Sequence, residues 1–443
     1  MRDPMLTSPA VGWLWEAGRL GAASLLALLL FGTGWSRALP SALQAAVGPS
    51  RSSLRPFTAS EPFSVFLPSV DKTSLSALSP SSGGVVASDG FAYVGYGESV
   101  AVIDVSDPTA PTLVQRLGPV AEMCEVLDLA EDGDRIYALC RDRRARLDHP
   151  GPRGAVAVIS AASQDERAAL EGTVLFDPEP WGLAARNGWV YVSFRDRVPP
   201  WRFADVTLGV LVIDARDGLR PTNAGTVETR TLTQDMVVHD RALLAAGAVW
   251  SEPYSDGPDA LGVSVLDLTD PAAPRLAARA LYEPPEGPFG NFWCSSIALQ
   301  GSVALIASWD TLTTLHALDV SLPEAPEWLG HLRLAEGALA VTVSSDHPVV
   351  LATSDVAGRA EIVVLAPIAS AEPGSPPTTP GIVGRVELPH EPAACYDIMA
   401  ADGGLVFVVD AYAQDLYVVD VTEPAAPRLA GRLGRDVRTV QAP

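Results

Sequence analysis

The sequence predicts an all-β protein, a seven-bladed β-propeller with four antiparallel strands in each blade. Three observations predict this fold class: a short apolar motif with an acidic residue and a proline recurs along the chain, its copies are almost evenly spaced, and no sustained helical period occurs after residue 83. Four short antiparallel strands repeated radially are the blade of a propeller. We therefore expect residues 83–435 to form one ring of seven units.

The repeated motif ends on an acidic residue and is followed by a turn that contains proline. Its clearest copies are VAVIDVSDPTAP (100–111), VSVLDLTDPAAP (263–274), LHALDVSLPEAP (315–326) and LYVVDVTEPAAP (416–427), and weaker copies occupy 156–164, 211–221 and 362–370. The acidic position is separated by 56, 54, 53, 52, 47 and 54 residues in successive copies, and it is occupied by Asp104, Ser160, Asp214, Asp267, Asp319, Ala366 and Asp420. A nearly constant period of this length indicates a repeat architecture.

Each unit also has the same internal order of strands and turns. Two β-rich runs joined by a Gly/Asp/Asn turn precede the motif, and a fourth run follows its proline. The aspartate can accept the backbone N–H of the residue two positions later, which closes an Asx turn, and proline then fixes φ and ends strand pairing. We therefore interpret these aspartates as scaffold residues rather than an active-site ring. Ser160 and Ala366 replace the aspartate, so units 2 and 6 are the most divergent.

The runs LVID (211–214) and YVVD (417–420), with the proline turns that follow them, resemble the LVIVD-repeat family of exported propeller proteins. The resemblance covers about residues 83–435. It implies the propeller fold and export from the cytoplasm. It implies no catalytic residue, because that family has no catalytic motif to carry over.

The segment before the repeats predicts export as well. Residues 20–35 are apolar and uncharged, so residues 1–38 are expected to be either a secretory signal peptide or an uncleaved N-terminal anchor helix. Residues 39–82 are rich in Ser and Pro and are expected to form a flexible linker. The expected location is secreted or cell-surface, with membrane contact only through the N-terminal segment if it is uncleaved.

The closure of the ring has two candidate solutions. Either residues 63–70 or residues 436–440, within the C-terminal tail 436–443, are expected to supply the strand that completes a blade. The sequence alone leaves both open.

The charge of the chain limits its partners. The formal net charge is −22 at pH 7, and nucleic-acid binding needs a basic surface, so nucleic acid is excluded as a partner. An extracellular protein or a glycan is the expected partner class.

The chain has four cysteines, and two of them are predicted to form a disulfide. A hairpin folded about Asp132 and Gly133 places Cys124 roughly opposite Cys140, and directly opposed residues in an antiparallel pair are close enough to be bridged. Oxidising conditions outside the cytoplasm would preserve such a bond. Cys294 and Cys395 belong to units that are not neighbours and are expected to be unpaired.

Three consecutive units enlarge the connection between their second and third strands, at 141–153, 195–208 and 250–261. In a propeller these connections emerge on one face. The candidate partner-binding residues are the arginine and aromatic side chains of these loops, because such side chains are frequent anchors of protein interfaces. They are Arg143, Arg144, Arg146, Arg197, Trp201, Arg202, Trp250 and Tyr254. The alternative is that the loops are solvated surface with no partner.

A second candidate set lies at the starts of the innermost strands, which converge on one mouth of the central channel. It comprises Glu179, Asp235, His390 and Asp397. Carboxylates that converge can hold Ca²⁺, which would suit a metal-dependent hydrolase or lactonase-like enzyme. Polar groups lining a wet channel explain the set equally well. GxSxG and HExxH motifs are absent and no catalytic residue is assigned, so a non-catalytic binding scaffold is the favoured function.

Overall fold

The computed structural model describes residues 84–434, apart from 123, 144–150, 164, 198–205, 250–259, 283–292, 310–313, 334–337, 354–359, 369–379, 390–395, 402 and 411–414. The expected signal or anchor helix (1–38), the linker (39–82) and the C-terminal tail (436–443) lie outside these residues. Within the described part of the chain, no helix has the length and apolar character needed to cross a membrane.

The described residues form seven four-stranded antiparallel sheets, each built from four consecutive strands. Blades 1 to 3 comprise β1 (Val85–Ser88), β2 (Phe91–Tyr96), β3 (Ser99–Asp104), β4 (Thr112–Leu117), β5 (Cys124–Asp132), β6 (Arg135–Asp142), β7 (Gly154–Ser160), β8 (Ala169–Phe176), β9 (Glu179–Arg186), β10 (Trp189–Arg197), β11 (Val206–Asp214) and β12 (Thr222–Glu228). Blades 4 and 5 comprise β13 (Thr231–His239), β14 (Ala242–Val249), β15 (Ala260–Asp267), β16 (Arg275–Tyr282), β17 (Trp293–Gln300), β18 (Val303–Trp309), β19 (Thr314–Asp319) and β20 (Glu327–Arg333). Blades 6 and 7 comprise β21 (Ala338–Ser344), β22 (His347–Thr353), β23 (Ala360–Leu365), β24 (Ile382–Glu387), β25 (Tyr396–Ala401), β26 (Leu405–Asp410), β27 (Asp415–Asp420) and β28 (Arg428–Leu433).

The seven-bladed propeller predicted from the repeat is confirmed. The first strand of each blade contacts the first strand of the next, which makes these strands the innermost ones. The last blade packs against the first in the same way, since β25 contacts β1. All seven blades have four strands within the described residues, and the two segments expected to close the ring, 63–70 and 436–440, lie outside them.

The apolar core lies between neighbouring blades. The two middle strands of each blade are covered on both faces, so they are almost continuously apolar; all residues of β14 are buried. The outermost strands are covered on one face only and alternate, as β4 does. At the point where the ring closes, Val85 and Val94 of blade 1 share a buried cluster with Phe407 and Val418 of blade 7.

The aspartates of the repeat close Asx turns, as predicted. Oδ1 of Asp104 accepts the Ser106 backbone N–H at 2.9 Å, and Oδ1 of Asp267 accepts that of Thr269 at 2.8 Å. The side-chain hydrogen bond from Ser106 lowers the pKa of Asp104. Equivalent bonds are made by Asp214, Asp319 and Asp420.

The proline turn of one blade packs against the outermost strand of the preceding blade. A Cβ on Gly431 of blade 7 would lie 2.1 Å from the carbonyl oxygen of Pro108 in blade 1, and a Cβ on Gly384 of blade 6 would lie 2.3 Å from that of Pro424 in blade 7. These positions therefore require glycine. The contact that closes the ring is the same as the contact between blades 6 and 7.

The predicted disulfide between Cys124 and Cys140 is confirmed, with a Cα–Cα distance of 5.5 Å. The register differs from the expected one, because Cys124 pairs with Asp142 and Cys140 pairs with Val126. The hairpin turns at Gly133 and Asp134, one residue later than expected, and a β-bulge follows Val126. The two cysteines are thus diagonal rather than direct cross-strand neighbours, and both are buried.

Candidate functional site

One face of the ring carries the ends of the second strands, the starts of the third strands and the starts of the innermost strands. We call it the loop face, because the three enlarged connections of blades 2, 3 and 4 leave the sheets there. Six of the candidate binding residues lie outside the described residues: Arg144, Arg146, Trp201, Arg202, Trp250 and Tyr254. Arg197 is the last residue of β10, and its backbone alone is described.

The arginines that flank these loops are paired with carboxylates. Arg143, a candidate binding residue, lies 4.0 Å from Glu98 of blade 1. The pairs Arg141–Glu125 (3.9 Å), Arg153–Asp196 (3.6 Å) and Arg195–Glu179 (2.8 Å) follow around the face. The described base of the loop face is therefore mixed in charge. The binding role of the loop residues stays a prediction.

The two described members of the predicted metal set have structural partners. Oδ1 of Asp235 accepts the Met236 N–H at 2.7 Å, and its Oδ2 accepts the Ile297 N–H of the next blade at 2.8 Å. Glu179 is bonded to Arg195. His390 lies outside the described residues, and so does the side chain of Asp397 in β25. Across the part of the chain that the structure covers, no three His, Cys, Asp or Glu side chains lie close enough together to hold a metal.

The bond from Asp235 to the next blade recurs around the ring. Asp128 of blade 2 occupies the same position and accepts the Leu183 N–H of blade 3 at 2.8 Å. In blade 5 the position is Ser296, whose hydroxyl donates to the Val341 carbonyl of blade 6 at 3.1 Å. This structural role was not predicted from the sequence. Aligning the innermost strands of the repeats would have shown polar residues recurring at one position.

The innermost strands of five consecutive blades share a second feature, a β-bulge one residue before this position. The bulges lie in β5, β9, β13, β17 and β21. The residues they displace are Leu127, Trp181, Gln234, Ser295 and Leu339. A bulge bends its strand and re-aims a side chain, and bulges are frequent beside functional sites. The bulges therefore mark one level of the channel, close to the loop face.

Polar groups are concentrated between blades 3 and 4 at this level. The buried Ser193 hydroxyl accepts the Gly182 N–H at 2.8 Å and donates to the Thr233 carbonyl at 3.1 Å. Thr231 and Ser264, both buried, share a hydrogen bond of 2.7 Å. Buried hydroxyls need such partners because an unpaired one costs about 1–3 kcal/mol.

Arg195 is the charged group at the centre of this region. It is only 7% exposed, its Nη2 donates to Glu179, and its guanidinium lies 4.8 Å from the centre of the Trp181 ring. Three buried polar atoms of the region have no hydrogen-bond partner within the described residues. They are Arg195 Nε, Trp181 Nε1 and Gln234 Oε1.

A separate cluster of rings joins blades 4 and 5 at the outer side of the propeller. The buried His316 ring lies 4.4 Å from the Tyr282 ring and 6.0 Å from the Trp328 ring, and its Nε2 lies 2.9 Å from the Ser308 hydroxyl. Burial, with a smaller effect of His331, lowers the pKa of His316 to about 3. His316 is therefore neutral in the folded protein at neutral pH.

Comparison with known sequences identifies the repeat. The LVIVD repeat matches at residues 81–117 and 397–434, the segments that contain β1–β4 and β25–β28. The chain therefore contains LVIVD repeats. The two matched segments of this LVIVD-repeat protein are the blades that meet where the ring closes. No curated protein matches the chain.

Solved structures share the fold of this LVIVD-repeat protein. The periplasmic gluconolactonase of Pseudomonas aeruginosa is similar over 80% of this chain and 94% of its own, with a TM-score of 0.50 and 14% identity. A chain of the mitotic checkpoint complex is similar over 75% of this chain and 88% of its own, with a TM-score of 0.47 and 10% identity. At 14% identity, the similarity to the gluconolactonase shows the fold alone.

Proposed function

We propose that this LVIVD-repeat propeller is a non-catalytic binding scaffold outside the cytoplasm, and that a protein partner binds to the loop face of blades 2 to 4. The observation that carries the proposal is the placement of the three enlarged connections. They belong to consecutive blades, and the ion pair between Arg153 and Asp196 joins the base of the blade 2 loop to blade 3. A rigid ring thus presents three loops side by side, which suits recognition by loops on a fixed scaffold.

The composition of the loops favours a protein partner over a glycan. Arginine and tryptophan are the residues most often found as anchors of protein interfaces. The alternation of positive and negative side chains at the base of the loops, from Glu98–Arg143 to Arg195–Glu179, suits a protein surface that also carries both signs. A partner that proves to be a glycan would contradict this part of the proposal.

The competing function is a metal-dependent hydrolase with its site at the channel mouth. Both described carboxylates of that candidate site have structural partners, because Asp235 bonds two backbone N–H groups and Glu179 neutralises Arg195. Each of these two carboxylates therefore has a structural role in the propeller. The binding scaffold is therefore the function that the geometry supports best.

The proposed location rests on the expected signal or anchor segment and on the disulfide. Disulfides form and persist mainly in oxidising compartments. The bond between Cys124 and Cys140 therefore supports a site of action outside the cytoplasm.

The experiment compares two sets of arginine variants of the full chain. The first set is Arg143→Ser, Arg144→Ser and Arg202→Ser on the loop face. The matched control replaces three arginines of the opposite face, Arg186, Arg220 and Arg241, with serine. Each protein is immobilised, exposed to the extracytoplasmic fraction of its own cells, and its captured proteins are quantified.

We expect the control variant to capture one defined protein in the same amount as the wild type does. The loop-face variant should capture at least tenfold less of that protein. Both variants should melt at the wild-type temperature, because none of the replaced arginines belongs to the apolar core between the blades. Higher salt should slow association, since the contact is partly electrostatic. Equal capture by the two variants would refute the proposal.

A further inference from the structure

The channel mouth between blades 3 and 4 contains polar groups that the fold does not use. Buried N–H and O groups are almost always hydrogen-bonded, so each exception needs an explanation. Here Arg195 Nε, Trp181 Nε1 and Gln234 Oε1 are all unpaired within the described residues. Arg195 and Trp181 are neighbours, because the guanidinium lies 4.8 Å from the centre of the indole ring. Gln234 lies on the adjacent innermost strand, where its backbone carbonyl oxygen would be 2.7 Å from a Cβ at Gly182.

The position of these groups in the fold points to a ligand rather than to a packing fault. Trp181 and Gln234 occupy the bulges of β9 and β13, which are neighbouring innermost strands. Both residues are half-buried, so part of each side chain is accessible, although the unpaired atoms themselves are buried. The equivalent bulge positions of blades 2 and 6 carry Leu127 and Leu339. The bulge therefore does not itself require a polar residue.

The chemistry of the three atoms defines the class of ligand. Two of them, the guanidinium and indole N–H groups, are donors, and the amide oxygen is an acceptor. The charge of Arg195 is already balanced by Glu179, at 2.8 Å. A neutral ligand with several hydroxyl groups, each both donor and acceptor, matches this set. An anion would have to compete with Glu179 for the same guanidinium.

We propose that the channel mouth between blades 3 and 4 is a binding site for a neutral saccharide, with Trp181, Arg195 and Gln234 as its hydrogen-bonding residues. The site shares Arg195 and Glu179 with the base of the blade 3 connection. Trp181 and Gln234 belong instead to the innermost strands β9 and β13, outside the enlarged connections. Sugar hydroxyls replace the partners that the three atoms lack. The ion pair with Glu179 holds the buried Arg195 guanidinium against the indole ring and so fixes the donors in place.

The test uses D-glucose, D-galactose and D-mannose as neutral probes and D-glucuronate as the anionic probe, with binding to the full chain measured by saturation-transfer NMR and titration. Trp181→Phe keeps the aromatic ring and removes its N–H. Gln234→Leu introduces the residue that blades 2 and 6 already carry, so it should fold normally. Trp328→Phe is the control, because the Trp328 Nε1 is also buried and unpaired but lies in the ring cluster between blades 4 and 5.

We expect at least one neutral sugar to bind saturably and more tightly than glucuronate. Trp181→Phe and Gln234→Leu should each weaken it about fivefold, the usual effect of losing one neutral hydrogen bond, while Trp328→Phe binds as the wild type does. The proposal is overturned if none of the three sugars binds, if glucuronate binds more tightly, or if the two site variants match the control. Protein capture by the loop face is unaffected in all three variants, so failure here is distinct from failure of the proposed function.

Discussion

Acidification is expected to destabilise the joint between blades 4 and 5, because the neutral His316 is buried there. The side chain is 1% exposed, and its Nδ1 has no partner within the described residues. Its pKa is lowered from 6.5 to about 3, chiefly by burial. Between these two pH values the unfolded chain carries a proton at this position that the folded protein does not.

The sign and size of the effect follow from this difference. Stability is complete above the unfolded-state pKa and is lost as the pH falls below it, because protons then favour the unfolded state. The free energy of unfolding falls by up to about 1.4 kcal/mol per pH unit, so about 2 kcal/mol is lost between about pH 6.5 and pH 4.5. The aspartates of the Asx turns do not obscure this window, since the pKa of Asp104 is lowered below its ordinary value of 3.8 and its effect appears in stronger acid.

The assay is urea unfolding of the wild type, His316→Leu and Ser308→Ala at several pH values in that window. Leucine is the residue that blade 3 carries at the equivalent position, Leu211, and it removes the titrating ring. We expect the free energy of unfolding of His316→Leu to fall by about 2 kcal/mol less than that of the wild type over this pH range. Ser308→Ala removes a hydrogen bond but keeps the ring, so its slope should remain that of the wild type. Equal slopes for the wild type and His316→Leu would refute the reasoning.

Four further changes are expected to alter stability. Replacing Cys124 and Cys140 with serine should lower the free energy of unfolding by about 3 kcal/mol, the value for a disulfide that closes a loop of this length, and denaturant titration with and without reductant measures it. Asp235→Ala should lower the free energy of unfolding by about 2 kcal/mol, because two backbone N–H groups lose their acceptor. Asp397→Ala should lower it by as much, because Asp397 occupies the same repeat position. Wild-type melting curves for both variants would contradict this role. Gly431→Ala should cost about 1–3 kcal/mol by overpacking against the proline turn of blade 1, and a melting temperature at the wild-type value would show that the ring does not close there.

The fold could be predicted from the sequence because each blade repeats the same local rules. Alternating apolar runs define the strands, and the aspartate and proline of turns such as Asp104–Pro111 define where the third strand ends. The pairing of the two cysteines could be predicted from the sequence, but the register of the strands that carry them could not. A bulge adds one residue without changing the composition of a strand, so the shift after Val126 leaves no clear trace in the sequence.

The candidate site was harder to predict, because its contacts join residues of different blades. The partners of Arg143 and Asp235 lie in neighbouring repeats, at Glu98 and Ile297. A carboxylate that faces a channel looks the same in sequence whether it binds a metal or a backbone N–H of the next blade. Pairing of charges across blades likewise depends on the ring geometry, which determines which loops lie side by side.

Photo-crosslinking in intact cells is the most direct test of whether the partner binds to the loop face. A photoreactive amino acid is placed at Trp201 or Tyr254 on the loop face, and at Arg220 or Arg241 on the opposite face. We expect a crosslinked adduct of one defined mass from the loop-face positions and none from the opposite face. Adducts of equal yield from both faces, or none from the loop face, would contradict it.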